Sequence, residues 1–241
     1  MDKTQYISTL VAAFEQNGLG DLLTDHTTEK LYSFSNMLIE TNKITNLTAI
    51  TDEKGIILKH FVDCASISRY IPRGARIIDV GCGAGFPSLP LAIILPDISV
   101  VSLDSTGKKI EFVSKTAQAL GLNNLTAICA RAEEFATDNR ESFDLCTSRA
   151  VARLNILAEL CLPLVKVGGL FVAMKSNKGA EEYSEAQSGI KKLGATLERS
   201  NEEAFSLDGD TITRETYIFK KTTPSPKEFP RKYAQILKTP L

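Results

Sequence analysis

At 241 residues, with 43% hydrophobic and 24% charged side chains, the chain has the composition of a globular protein with one main core, which excludes a disordered or fibrous polymer. A formal net charge of −1 excludes nucleic-acid binding through overall attraction and leaves any such binding to a local basic surface. Five cysteines (Cys64, Cys82, Cys129, Cys146, Cys161) stand far apart, odd in number and without ligand spacing, so neither a disulfide framework nor a metal site is expected.

The first residues carry no charged-then-apolar leader pattern, and no apolar run reaches the roughly 18 residues of a membrane span, so a cytoplasmic protein with no membrane contact is expected. Over residues 1–70, Leu10 and Phe14, then Leu31, Phe34 and Leu38, then Ile57 and Phe61 recur at helical spacing; they predict an N-terminal helical extension. Ala75 to Val80 is a short β-branched run entered from Pro72-Arg73-Gly74, the pattern of a buried strand, and it opens a core over 71–221. Strand-like runs recur at Ile98 to Leu103, Leu125 to Ala130, Phe143 to Ser148 and Leu170 to Met174. Helix-length segments such as Lys108 to Leu120 and Leu154 to Val165 lie between them. That alternation predicts an α/β, Rossmann-like doubly wound sheet with helices on both faces. Thr196 to Arg199 and Glu215 to Lys220, near the turn Asp208-Gly209-Asp210, are expected to close one edge as an antiparallel hairpin; the basic tail 222–241 reads as extended or loose.

The first strand runs into Asp79-Val80-Gly81-Cys82-Gly83-Ala84-Gly85-Phe86. Glycines at Gly81, Gly83 and Gly85 let the chain turn sharply and let backbone approach a ligand. A dinucleotide fingerprint needs glycine where Phe86 stands, and a P-loop needs Gly-Lys-Ser/Thr, so the loop suits a nucleoside-like ligand rather than a pyrophosphate. A tight turn without a ligand is the plainer alternative. Asp104 follows the second strand at a spacing that puts a carboxylate near a ribose diol; its competing role is to cap the helix that carries Lys108 and Lys109. After the third strand, Ala130 to Phe135 offers a backbone amide and an acid, Glu133 ahead of Glu134, to hold an adenine edge, although acids in a first helical turn also answer the helix dipole. The fourth strand delivers Arg149 to the carboxyl end of the sheet, either to meet ligand or as a buried structural ion pair.

Several blocks in one order resemble a known family over nearly the whole chain. They are Asn46-Leu47-Thr48-Ala49-Ile50, Lys59-His60-Phe61-Val62-Asp63, the glycine loop through Pro87, Asp104-Ser105 with Lys108-Lys109, Arg131-Ala132-Glu133, Thr147 to Ala152, and Phe229-Pro230-Arg231-Lys232 to Leu241. On these blocks the sequence resembles the ribosomal RNA small-subunit methyltransferase G family, also called glucose-inhibited division protein B. The resemblance implies a class I S-adenosylmethionine-dependent methyltransferase acting on N7 of a guanine in 16S ribosomal RNA. It implies cofactor contacts at Gly81, Phe86, Ala132, Glu133 and Arg149, and a partner that is 16S ribosomal RNA or the 30S subunit. Lys175 and Lys178 both compete for the place of the family's lysine.

Guanine N7 carries an in-plane lone pair and no proton, so methylation there needs no general base, and alignment supplies much of the rate. No catalytic dyad is therefore expected. His60 is read as a structural histidine beneath the cofactor rather than as a base. Arg131 and Arg149 are candidates for orienting base or phosphate, because a guanidinium offers forked donors and stacks on bases. Arg231 and Lys232, with the other cations of the tail, are candidates for RNA phosphate contacts, against the plainer role of a solubilising tail in a monomer. Rival functions are a class I methyltransferase with a different substrate, and a non-catalytic RNA-binding module on the same fold.

Overall fold

In the computed structural model, which describes residues 1–149, 152–175 and 179–241, helical segments precede the first strand. The Asp2 carboxylate caps α1 (Lys3–Gln16), accepting from the Gln5 amide at 2.8 Å. α2 (Asp25–Asn42) opens on a capping box in which the hydroxyls of Thr24 and Thr27 each accept from the other's amide. The next segment starts as α3 (Glu53–Ile56), widens into a π turn (Ile57–Val62), and continues as α4 (Asp63–Ala65) and a 3-10 turn (Ser66–Tyr70). Such π turns recur where a helix supplies functional side chains, and this one carries His60.

From Arg76 the chain alternates. β1 (Arg76–Val80), α5 (Ser88–Ile94), β2 (Ser99–Asp104), α6 (Gly107–Ala119), β3 (Leu125–Cys129), α7 (Ala132–Asp138), β4 (Phe143–Arg149), α8 (Leu154–Cys161), β5 (Val165–Lys175) and α9 (Gly179–Lys192) lead into a hairpin of β6 (Ala195–Leu207) and β7 (Asp210–Lys221), then α10 (Tyr233–Lys238). The sheet order is β3-β2-β1-β4-β5-β7-β6, with β1 to β5 parallel and β7 antiparallel between β5 and β6. This is the doubly wound α/β sheet the sequence predicts. Its strands read as continuous apolar runs because both faces are covered. Ile77, Leu145 and Val172 pack with the N-terminal helices, α5 and α6. Their neighbours Ile78, Cys146, Phe171 and Ala173 point the other way, into a second core with α8, α9 and α10. Strand order reverses between β1 and β4, and the carboxyl ends there splay into a crevice.

The hairpin is longer than the sequence suggests. Thr196 pairs with Lys220 as expected, but the ladder runs on to Leu207 opposite Asp210, closed by Asp208 (φ 49°) and Gly209 (φ 89°) in a two-residue turn. Its far half leaves the sheet and packs on the N-terminal helices. The Asn17 side chain bonds both the amide and the carbonyl of Ser206, and Phe205 and Leu207 are buried with α1 and α2.

The tail beyond Thr222 is docked rather than loose. Phe229 and Ile236 are buried in the second core, and the Arg140 guanidinium donates to the carbonyls of Ser225, Pro226 and Phe229. Apolar anchors that lack helical periodicity, and partners far off in sequence, explain why this packing was not legible in the tail itself.

Candidate active site

The glycine loop links the ends of β1 and β2. Gly81, Gly83 and Gly85 all have positive φ (75°, 58° and 89°), and the Gly81 and Cys82 amides both donate to the Leu103 carbonyl, at 2.7 and 3.1 Å. At Gly85 a β-carbon would sit 2.4 Å from Leu89 Cδ1, so this glycine is required by the packing of α5. At Gly83 a β-carbon would meet nothing within 4 Å; the backbone there faces the open crevice. Asp104 accepts from the Gly83 amide at 3.0 Å and from the Thr106 amide at 2.8 Å. The N-cap position of α6 belongs to Thr106, so the Asp104 carboxylate pins the glycine loop instead of capping the helix. Beneath the loop, Asp79 is fully buried and accepts from the Ser88 amide at 3.1 Å. Burial pushes its carboxyl up to about 7, although the Ser88 bond pulls the other way.

Beside the loop, the π turn supplies a linked set of side chains. Arg149 donates from Nη1 to the Lys59 carbonyl and to Asp63 Oδ2, both at 3.1 Å, and from Nη2 to His60 Nδ1 at 3.0 Å. An arginine can only donate, so His60 Nδ1 is the unprotonated nitrogen. Nε2–H then donates to Thr48 Oγ1, 3.0 Å away. The ring is stacked on Phe86 with centroids 4.1 Å apart, and the Arg149 guanidinium carbon lies 5.1 Å from the same Phe86 ring. Burial, then the Arg149 charge, hold His60 down at about 3, so the ring is neutral. With both nitrogens engaged, it is a positioning group and not a base. Arg214, reaching in from the hairpin, donates from Nε to the same Asp63 Oδ2 at 3.2 Å. Buried Asp63 thus holds two arginines at the crevice.

The crevice is a cavity of about 820 Å³, within the size range of sites for nucleoside-sized molecules. Its lining includes six cationic side chains (Lys59, Lys109, Arg149, Arg153, Lys175, Arg214) against three acidic ones (Asp63, Asp104, Glu182), in a chain of net charge −1. The basic surface that composition could not reveal is therefore concentrated at the site.

Of the residues nominated from sequence, Gly81, Gly83, Phe86, Asp104 and Arg149 meet in this cavity, and Gly85 lies behind it. Ala132 and Glu133 begin α7 outside its lining; the Ala130 amide, donating to the Asp104 carbonyl at 3.2 Å, ties that turn to the cavity edge. Arg131 is exposed, its guanidinium carbon 5.5 Å from the Tyr233 ring centroid, and Lys232 is exposed on the tail. Arg231 is a correction. It bonds buried Glu159 through its amide, Nε and Nη2 at 2.6 to 2.8 Å and reaches the Thr239 carbonyl, so it locks the tail rather than facing a phosphate. Buried Lys221, the last residue of β7, is committed in the same way, to the Leu162 carbonyl and Glu141. Lys175 lines the cavity and is tied to the Ala152 carbonyl at 2.6 Å and to Glu182 at 2.7 Å, whereas Lys178 lies outside the described residues. Sequence reasoning marked the blocks holding Thr48 and Asp63 but gave them no role, and it missed Glu182 and Arg214. Arg214 stands 151 positions from its partner and carries no local signal.

A family model described as rRNA small subunit methyltransferase G (GidB) matches residues 27–204. The chain belongs to this family. It is 46% identical over 224 residues to the ribosomal RNA small subunit methyltransferase G of Staphylococcus carnosus, covering 91% of this chain and 92% of the relative. The enzyme of the same name from Staphylococcus saprophyticus is 44% identical over 222 residues, with the same coverage of both chains. Among solved structures, a putative transferase from Pyrococcus horikoshii superposes with TM-score 0.55 at 15% identity, over 66% of this chain and 63% of that one. A precorrin-6y C5,15-methyltransferase from Geobacter metallireducens gives 0.53 at 14% identity, over 67% and 88%. These two share the class I methyltransferase fold with this chain.

Proposed function

We propose that this methyltransferase moves a methyl group from S-adenosylmethionine to N7 of a guanine in 16S ribosomal RNA. The observation that carries the reading is a nucleoside-sized cradle in a cation-rich crevice, where the histidine among the described lining residues, His60, is engaged at both ring nitrogens. When bound, S-adenosylmethionine supplies an electrophilic methyl group on a sulfonium, which the N7 lone pair takes up as the carbon–sulfur bond breaks. The residues present fit that donor. Gly83 offers bare backbone to the cavity, and Asp104, already fixed by two amides, keeps lone pairs for ribose hydroxyls. Ala132 and Glu133, at the start of α7, would hold the adenine edge. Gly81 and Phe86 line the base of the cavity. Phe86, stacked beneath His60 and faced by Arg149, gives the cradle a rigid aromatic wall.

No proton has to leave guanine N7, so the neutral, fully engaged His60 agrees with the chemistry. Arg149 and Arg214, restrained by Asp63, orient the incoming base, and Lys59, Lys109 and Arg153 attract phosphates. Arg131 and the exposed tail residue Lys232 extend that basic surface. The reading includes a monomer working in the cytoplasm on 16S ribosomal RNA or the 30S subunit. No helix among the described residues is long and apolar enough to cross a membrane. It also takes 1–70 as a helical extension that shares a core with the 71–221 unit, and 222–241 as the segment that closes the far face.

The test is transfer of labelled methyl from S-adenosylmethionine into 30S subunits and 16S ribosomal RNA from cells lacking the protein. Mapping should show a single N7-methylguanine restored. No incorporation, or label on another base, would overturn the reading, and light scattering checks the monomer.

A further inference from the structure

We propose that Ile44 is a wedge that fills the gap left in the RNA stack when the target guanine enters the cavity; this rests on the guanine-N7 reading. Among the described residues, Ile44 is 91% exposed, whereas the other exposed large hydrophobic residues, Met1, Val167 and Leu237, are 38%, 49% and 51% exposed. Single surface hydrophobics are ordinary. Two features separate this one from the rest.

The first is rigidity. The Thr41 carbonyl accepts from the amides of Ile44 and Thr45 at 3.1 and 2.9 Å. The Asn42 side chain then clamps the returning strand, accepting from the Leu47 and Thr48 amides at 2.8 and 3.0 Å and donating to the Thr48 carbonyl at 3.0 Å. Ile44 thus stands at the tip of a turn closed by five hydrogen bonds, and its exposure is built in. The second is place. The limb that returns from this tip supplies Leu47, Thr48 and Ile50 to the cavity lining, and Thr48 goes on to hold His60. Exposed Lys59, next in the chain to His60, lines the same cavity.

A guanine held in a stack calls for such a group. In A-form RNA, N7 lies in a deep, narrow major groove that side chains cannot enter, so a stacked guanine must leave its stack to reach a donor held in a cavity. Unstacking costs a few kcal/mol, and proteins that open a base step insert an aliphatic or aromatic side chain into it. A branched aliphatic side chain on a rigid tip beside a base-sized, cationic cavity matches that need.

The experiment compares wild type with Ile44→Ala, Ile44→Met and, at the opposite end of the sheet, Val167→Ala. The substrate is a synthetic fragment of 16S ribosomal RNA holding the target guanine, with the adjoining nucleotide either intact or abasic. On intact RNA, kcat/KM should fall about ten-fold for Ile44→Ala and stay within two-fold of wild type for Ile44→Met and Val167→Ala. On abasic RNA, where less stacking must be broken, Ile44→Ala should recover to within two-fold of wild type. Affinity for S-adenosylmethionine, measured by calorimetry, should not move in any variant. Wild-type kcat/KM for Ile44→Ala on intact RNA, or a loss that persists on abasic RNA, overturns the wedge. Failure of the wild type to methylate the fragment, 16S ribosomal RNA and 30S subunits alike would instead mark failure of the underlying reading and take the wedge down with it.

Discussion

Protonating His60 should loosen the site and the fold together. The native ring titrates near 3, because it is buried and faces the Arg149 guanidinium, while an unfolded histidine titrates near 6.5. A depressed native value means that the stabilising contribution is fully present above pH 6.5 and is lost as pH falls, because the unfolded chain takes up the proton first. At pH 5.5 the unfolded state gains about 1 kcal/mol from this one group, and at pH 4.5 about 3 kcal/mol. His60→Asn is the clean perturbation: its amide oxygen can still accept from Arg149, but the side chain does not titrate. Loss of the stack on Phe86 should lower its stability by about 1 kcal/mol at every pH. The assay is urea unfolding of both proteins at pH 8.0 and 5.5. Wild type should lose about 1 kcal/mol more than the variant between those values. Equal losses would refute the reasoning, as would a rate profile in which wild type needs a group near 6.5 deprotonated and His60→Asn does not.

Asp79 runs in the opposite sense. Its native value is raised to about 7, so its stabilising contribution is present below 3.8 and lost as pH rises towards 7. Asp79→Asn is expected to stabilise the protein without cofactor by up to about 4 kcal/mol at pH 8 and by nothing below pH 4, read by the same unfolding assay. The glycines should separate fold from ligand. Gly85→Ala, with a β-carbon driven into Leu89, should cost at least about 2 kcal/mol in thermal unfolding. Gly83→Ala should cost about 1 kcal/mol yet lower S-adenosylmethionine affinity at least ten-fold by calorimetry. Glu159→Gln, which leaves Arg231 without its buried carboxylate, should destabilise by about 2 to 3 kcal/mol and expose the tail beyond Thr222 to protease, while cofactor affinity stays unchanged.

What was legible in the sequence was whatever a short stretch of chain must do on its own. The parallel strands are apolar because both faces are covered, so β1 to β4 could be read within a residue or two of their ends. Three glycines before α5 and an acid at the end of β2 follow from backbone approach and from ribose chemistry, and the structure brings them into contact through the bond from the Gly83 amide to Asp104. The hairpin was seen only near the sheet, since one face of its outer half is solvated and Ser200 to Glu203 do not look like a strand. Illegible were the pairings that only the fold creates, such as Asp63 with Arg214, or Glu159 with Arg231. The tail's cations therefore mislead: Arg231 has its carboxylate partner in a distant segment, and the excess that matters is at the cavity. His60 shows both sides. Chemistry alone argued against a base, because N7 has no proton to lose, but it could not say why a histidine should stand there. The structure supplies the reason. The position needs a flat ring to stack on Phe86, an acceptor for Arg149 at one nitrogen and a donor for Thr48 at the other. Neutral imidazole is the one side chain that offers all three.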